Sequence, residues 1–133
     1  CRFILLNMKN MHQCIICLGS NYEAEKNINT ALDRLENEFD IIEWGEAIYT
    51  PAEGAAKEST YLNRGAKLYT DKSAEEIKWL FKSIERLCGR TAESKKIGVM
   101  PLDIDLLIFD GEAIKPNDLT KAYVKLALKD LKI

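Results

Sequence analysis

The chain has 133 residues, of which 47% are hydrophobic and 30% are charged, and its formal net charge at pH 7 is −2. These values are typical of one globular domain, and they exclude the broad basic surface that binds nucleic acids or acidic membranes. Its apolar runs are much shorter than the ~18 residues of a membrane span. We therefore expect neither a nucleic-acid partner nor membrane insertion.

The first ten residues contain a short apolar patch, Phe3 to Leu6, which is too short for the core of a signal peptide. Met8 and Met11 are both plausible start positions. We therefore expect residues 1–10 to be an N-terminal extension and residues 11–133 to form a single domain. The four cysteines have no spacing typical of a disulfide scaffold, so we expect a reducing, cytoplasmic location.

Cys14 and Cys17 form a C-x-x-C pattern inside an apolar run. At strand spacing the two thiols face opposite sides of a sheet, which is poor geometry for a shared metal or a redox pair. We expect both side chains to take part in core packing.

Hydrophobic periodicity predicts four strands and three helices. Ser73 and Glu76 form a capping box before the second helix, and Gly89 ends it. The predicted strands are 13–18, 41–49, 61–70 and 101–109, and the predicted helices are 23–39, 74–88 and 118–131. On the buried side of the second helix we expect Ile77, Leu80, Phe81, Ile84, Leu87 and Cys88.

This order of elements, β-α-β-β-α-β followed by a C-terminal helix, indicates an α+β, ferredoxin-like fold with two helices on one face of an antiparallel sheet. We expect a small-residue loop up to Ser59, a polar loop from Arg90 to Gly98, and a short edge strand near Ile114. Trp44 and Trp79 are expected to be packing residues.

Two aspartates lie in the last predicted strand. Side chains alternate along a strand, so Asp103 and Asp105 face one side while Leu102, Ile104 and Leu106 face the core. At ~4 Å and an effective dielectric of about 20, two ionised carboxylates repel by roughly 4 kcal/mol. A Mg²⁺ ion bound together with substrate phosphates would remove that repulsion. The alternative is a sheet edge at which both carboxylates face water.

Several short motifs occur in a specific order along residues 12–128. They are Leu18-Gly19-Ser20-Asn21, Tyr49-Thr50-Pro51, Tyr61-Leu62-Asn63, Ile84-Glu85, Gly89-Arg90, and Pro101-Leu102-Asp103-Ile104-Asp105-Leu106-Leu107. In this order and spacing the chain resembles the 6-hydroxymethyl-7,8-dihydropterin pyrophosphokinase family of folate biosynthesis. The resemblance implies an ATP-dependent diphosphokinase that transfers pyrophosphate from ATP to the pterin with two Mg²⁺ ions.

The same resemblance implies roles for individual residues. Asp103 and Asp105 match the metal-binding pair, and Arg90 matches a catalytic cation. Tyr61 and Tyr123 match the rings that stack on the pterin, with Asn63 and Thr50 at its polar edge. Glu85 and Arg90 match the nucleotide side, where Lys121 could also supply charge. From their own patterns, Tyr61 and Tyr123 also fit packing roles, and Arg90 also fits a solvated cation at a helix C-terminus.

The chain departs from the family pattern next to the Asp strand. Ile97 and Met100 stand where a Trp and an Arg are usual, and Ala92 replaces a second Arg. Lys115 and Lys121 stand where a His and an Arg are usual. A diverged pterin- or nucleotide-binding protein with little or no transfer activity is therefore the alternative. We expect a monomer in which residues 90–100 form a mobile lid over the triphosphate.

Overall fold

The computed structural model describes residues 11–51 and 60–133. The expected extension over residues 1–10 and most of the expected small-residue loop, residues 52–59, lie outside the described residues. The strands are β1 His12–Ser20, β2 Ile41–Trp44, β3 Ile48–Pro51, β4 Thr60–Thr70, β5 Asp103–Phe109 and β6 Glu112–Ala113. The helices are α1 Ala24–Glu38, α2 Ala74–Leu87, α3 Ala92–Lys96 and α4 Ala122–Leu128. A 3₁₀ turn covers Asp118–Thr120.

The six strands form one antiparallel sheet in the order β2-β4-β1-β5-β6, with β3 also paired to β4. This arrangement confirms the predicted α+β, ferredoxin-like fold. Among the described helices, none is both long and apolar enough to cross a membrane.

Both faces of the sheet are covered. Alternate residues of β1, such as Ile16 and Leu18, pack in one core with α1 and α2. The intervening residues Ile15 and Cys17 pack with α4 on the other face. Cys14 belongs to the first core and Cys17 to the second, which confirms that the two thiols face opposite sides.

The ends of α2 follow the sequence signals. The Glu76 amide donates to Ser73 Oγ at 3.2 Å, and the Ser73 amide donates to Glu76 Oε1 at 3.1 Å, so the capping box is confirmed. Gly89 adopts φ +96, a left-handed conformation that favours glycine.

Two apolar residues of α2 were assigned wrongly. Leu87 is 54% exposed and Trp79 is 70% exposed. An α-helix turns by about 100° per residue. Leu87 therefore lies about 80° around α2 from the buried Ile77, and Trp79 lies on the side opposite Ile77. Trp44 does pack against the core, and its Nε1 donates to Glu36 at 3.0 Å.

The predicted strand 41–49 is divided into β2 and β3. Trp44 pairs with Ala66, and Ile48 pairs with Asn63. The edge therefore advances by four residues while β4 advances by three, so the edge contains one extra residue. The extra residue forms an irregularity of the kind seen in β-bulges, which bends an edge strand. A single alternating pattern does not reveal such an insertion.

The C-terminal helix and the predicted polar loop also differ from expectation. Lys121 is extended (φ −73, ψ 138) and separates the 3₁₀ turn from α4, which ends at Leu128. The polar loop contains α3, with Thr91 as its N-cap. The edge strand near Ile114 is β6, which ends at Ala113.

Helix α4 rests on the backbone of β4 at Gly65. A Cβ atom at this position would lie 2.6 Å from Leu128 Cδ2 and 2.7 Å from the carbonyl oxygen of Ala127. We expect Gly65→Ala to lower the free energy of unfolding by about 1–3 kcal/mol, because the backbone of α4 must shift. Chemical denaturation measures the loss, and amide exchange in residues 122–131 should accelerate.

Gly111→Ala is the control. Gly111 has φ +79 and an added Cβ would meet nothing within 4 Å, so this substitution strains the backbone without touching α4. Unchanged amide exchange in residues 122–131 of Gly65→Ala would contradict the contact.

Candidate active site

One cavity of about 190 Å³ opens between the sheet and the start of α4. Seven of the nine residues that the sequence assigned to a site line this cavity. They are Thr50, Tyr61, Asn63, Asp103, Asp105, Lys121 and Tyr123. The other two, Glu85 and Arg90, line a neighbouring depression, and Arg90 reaches the cavity through Asp103.

The floor of the cavity is formed where β1 and β5 pair. Gly19 lies opposite Asp103, and Cys17 lies opposite Asp105. Ile104 belongs to the core on the other face, so the predicted alternation is confirmed. An added Cβ at Gly19 would lie 3.1 Å from Asn63 Oδ1, which explains why glycine keeps this floor open.

The position of Asp105 affects the protonation of Asp103. The pKa of Asp103 is raised to about 7, mainly by burial and then by the charge and hydrogen bond of Asp105, whereas Arg90 opposes the change. Burial disfavours the charged form, and a like charge nearby does the same. A bound cation would favour both ionised forms.

The donor set fits Mg²⁺ held partly by a substrate. Mg²⁺ takes oxygen ligands and is usually bound by one or two carboxylates plus phosphate oxygens. Asp103 and Asp105 supply two such carboxylates on one side of β5. Over residues 11–51 and 60–133 no cluster of three or more His, Cys, Asp or Glu side chains would hold a metal alone. Two carboxylates leave further coordination positions of Mg²⁺ for other oxygen ligands.

Arg90 is fixed beside this pair. Its Nη1 lies 3.0 Å from Asp103 Oδ1 and 2.8 Å from Glu85 Oε2. Glu85 Oε2 also accepts the amide of Ile104 at 2.8 Å. The buried Glu85 carboxylate therefore connects α2, Arg90 and β5.

The cavity also has aromatic and polar walls. Tyr61 comes from β4, and Tyr123 from α4. Burial raises the pKa of Tyr123 to about 12 and also raises the pKa of Tyr61, so both phenols are neutral at pH 7. Asn63 Nδ2 donates to Thr50 Oγ1 at 2.6 Å, and both side chains are buried. A flat ring with a hydrogen-bonding edge suits such walls.

Two titratable residues of the cavity, Cys17 and Asp118, were not among the predicted site residues. Burial raises the pKa of the Cys17 thiol to about 12, so it lines the floor as a neutral group. The pairing of β1 with β5 reveals that Cys17 belongs to the cavity, because it places Cys17 opposite Asp105. Asp118 lies 2.9 Å from Lys121 Nζ, at the i,i+3 spacing of an ion pair.

The segment from Arg90 to Met100 is tied at both ends. The Ser94 amide donates to Thr91 Oγ1 at 3.1 Å, which caps α3. Asn21 accepts the Met100 amide through Oδ1 at 2.6 Å and donates to the Gly98 carbonyl through Nδ2 at 2.9 Å. The mobility and closure of this segment stay predictions.

Comparison with protein-family models matches residues 15–133, nearly the whole chain, to the model described as 7,8-dihydro-6-hydroxymethylpterin-pyrophosphokinase (HPPK). This is the family that the ordered motifs resemble, and the matched region includes every residue of the cavity. The chain belongs to the HPPK family.

Proposed function

We propose that the protein transfers pyrophosphate from ATP to the hydroxymethyl group of 6-hydroxymethyl-7,8-dihydropterin in folate biosynthesis. The observation that supports this most is the meeting of the acidic pair with the aromatic and amide residues in one cavity. Such a cavity would bring the reacting hydroxyl group beside the triphosphate, and placing two reactants correctly removes much of a reaction barrier.

In this proposal the pterin ring lies between Tyr61 and Tyr123. Aromatic stacking orients a flat ligand, and the amide of Asn63 supplies hydrogen bonds to its edge. The bond from Asn63 Nδ2 to Thr50 Oγ1 fixes the amide orientation, which directs its oxygen toward the ligand as an acceptor.

The triphosphate side consists of Asp103, Asp105, Arg90, Glu85 and Lys121. The two aspartates would hold Mg²⁺, and two ions are expected. The bound metal would neutralise the phosphate charge. The hydroxyl oxygen attacks the β-phosphorus, and the bond from the β-phosphorus to the oxygen that bridges it to the α-phosphate breaks. AMP leaves with that bridging oxygen, and the hydroxyl proton passes to water. Arg90 stabilises the charge that develops, and Glu85 holds Arg90 in place.

We further propose that the protein acts as a monomer in the cytoplasm. In support of this location, Cys14, Cys17 and Cys88 are free thiols. Free thiols are suited to a reducing compartment.

A binding protein with little or no transfer activity is the second candidate. Met100 lines the cavity without a charge, and the exposed Ile97 supplies no hydrogen bond to phosphate. Incubation with ATP, Mg²⁺ and the hydroxymethyl pterin separates the two functions. AMP formed above the protein-free rate supports transfer, whereas bound pterin without AMP supports the second candidate.

The acidic pair gives a direct test of the metal role. We expect Asp103→Asn and Asp105→Asn each to lower the rate of AMP formation by at least about 100-fold, because each removes a Mg²⁺ ligand. Steady-state kinetics at saturating ATP measures the loss. Asp110→Asn is the matched control, because Asp110 follows the same strand but is exposed and paired with His12. A wild-type rate in either variant would contradict the proposal.

The aromatic residues should control pterin affinity. We expect Tyr61→Ala and Tyr123→Ala each to weaken pterin binding about tenfold or more, whereas Tyr→Phe at either position keeps most of the affinity, because the ring provides the contact. Fluorescence titration with the pterin measures the change. Tyr69→Ala, on the same strand as Tyr61 but outside the cavity, should bind like the wild type. Equal losses in the Ala and Phe variants would argue against stacking.

A further inference from the structure

The turn after β5 places a lysine against the acidic pair. Asp110 and Gly111 both adopt positive φ angles, of 50 and 79, and the chain then returns along β5. The Ile114 amide donates to the Leu107 carbonyl at 2.8 Å, which fixes the position of the next residue, Lys115. Lys115 Nζ thereby lies 2.7 Å from Asp105 Oδ1.

This ion pair involves Asp105, one of the two carboxylates that the proposed function assigns to the metal. The Asp105 side chain is only 21% exposed, so its charge is weakly screened by water. A divalent ion bound to the same carboxylate would lie a few ångströms from the ammonium group, and the two positive centres would repel. The ammonium group and the metal ion therefore compete for Asp105.

Arg90 and Lys115, which both contact the acidic pair, differ in how firmly they are held. Arg90 is anchored by Glu85 at 2.8 Å, and its side chain is 25% exposed. The Lys115 side chain is 46% exposed and carries its charge on a flexible four-carbon stem. Lys115 is therefore the cation that can leave its carboxylate at little cost.

We propose that Lys115 is a tethered counter-cation, which occupies Asp105 until a nucleoside triphosphate arrives and then moves its ammonium group to a phosphate oxygen. The proposal rests on the proposed function, because it takes Asp103 and Asp105 as Mg²⁺ ligands. No covalent bond forms or breaks in this exchange of ion-pair partners. Free Mg²⁺ should bind weakly, and the metal should enter together with the nucleotide.

A Mn²⁺ titration of the whole protein, followed by electron paramagnetic resonance, tests this without catalysis. In the absence of nucleotide, we expect Lys115→Met to raise Mn²⁺ affinity about tenfold, because the competing charge is gone. Adding Lys115→Met to Asp105→Asn should change the affinity less than about twofold, because the shared carboxylate is already lost. Lys125→Met, on the outer part of α4, controls for net charge.

Two results would overturn the proposal. One is that Lys115→Met and the wild type bind Mn²⁺ with equal affinity and that Lys115→Gln gives the same result. Thermal unfolding of both variants shows that they are folded. The other is an equal gain in Lys125→Met, which would assign the effect to net charge alone.

A second titration, with a non-hydrolysable ATP analogue present, separates this proposal from the proposed function. Mn²⁺ binding that is lost in Asp105→Asn supports the metal role of the acidic pair. One outcome is that Asp105→Asn loses Mn²⁺ binding while Lys115→Met leaves the affinity for free Mn²⁺ unchanged. In that case Lys115 is not a counter-cation of Asp105, and the proposed function stands. If Asp105→Asn binds Mn²⁺ with the analogue as the wild type does, the proposed function itself fails.

Discussion

The alternation of side chains along β5 is the constraint on which the rest of the structure depends. One strand sends Ile104 and Leu106 into the core under α1 and α2, and it sends Asp103 and Asp105 into the cavity on the other face. A shift of register by one residue would bury both carboxylates in an apolar core, at a large cost in free energy. The hydrophobic core therefore fixes the position of the acidic pair.

Charge balance around the acidic pair is shared among several elements. Glu85 in α2 holds Arg90, Arg90 contacts Asp103, and Lys115 contacts Asp105. Because each of these groups comes from a different part of the chain, the local field depends on the packing of α2 and of the β5–β6 turn. The buried Glu85 carboxylate also accepts a hydrogen bond from the amide of Ile104, so it connects the ion pairs of the site to the backbone of β5.

Much of the fold could be predicted because its signals were local, whereas most residues of the cavity were assigned from the family resemblance. The capping box at Ser73 and the alternation around Asp103 each depend on neighbours within a few residues. The break between β2 and β3 and the place of Cys17 in the floor depend on pairing with distant strands, which a single sequence does not display. The exposure of Trp79 was not predicted, although its position, about 200° around α2 from Ile77, places it on the outer side of the helix.

The pairing of β1 with β5 has a consequence for how binding ability arises during folding. Gly19 meets Asp103 across 84 residues of sequence (103 − 19 = 84), and the wall at Tyr123 comes later still. Contacts this distant form only after most of the chain is ordered, and such topologies tend to fold slowly. A nascent chain would therefore have no cavity until α4 had been made. A ligand of this cavity would stabilise only the completed protein, so its protective effect would appear as a shift of the whole unfolding transition.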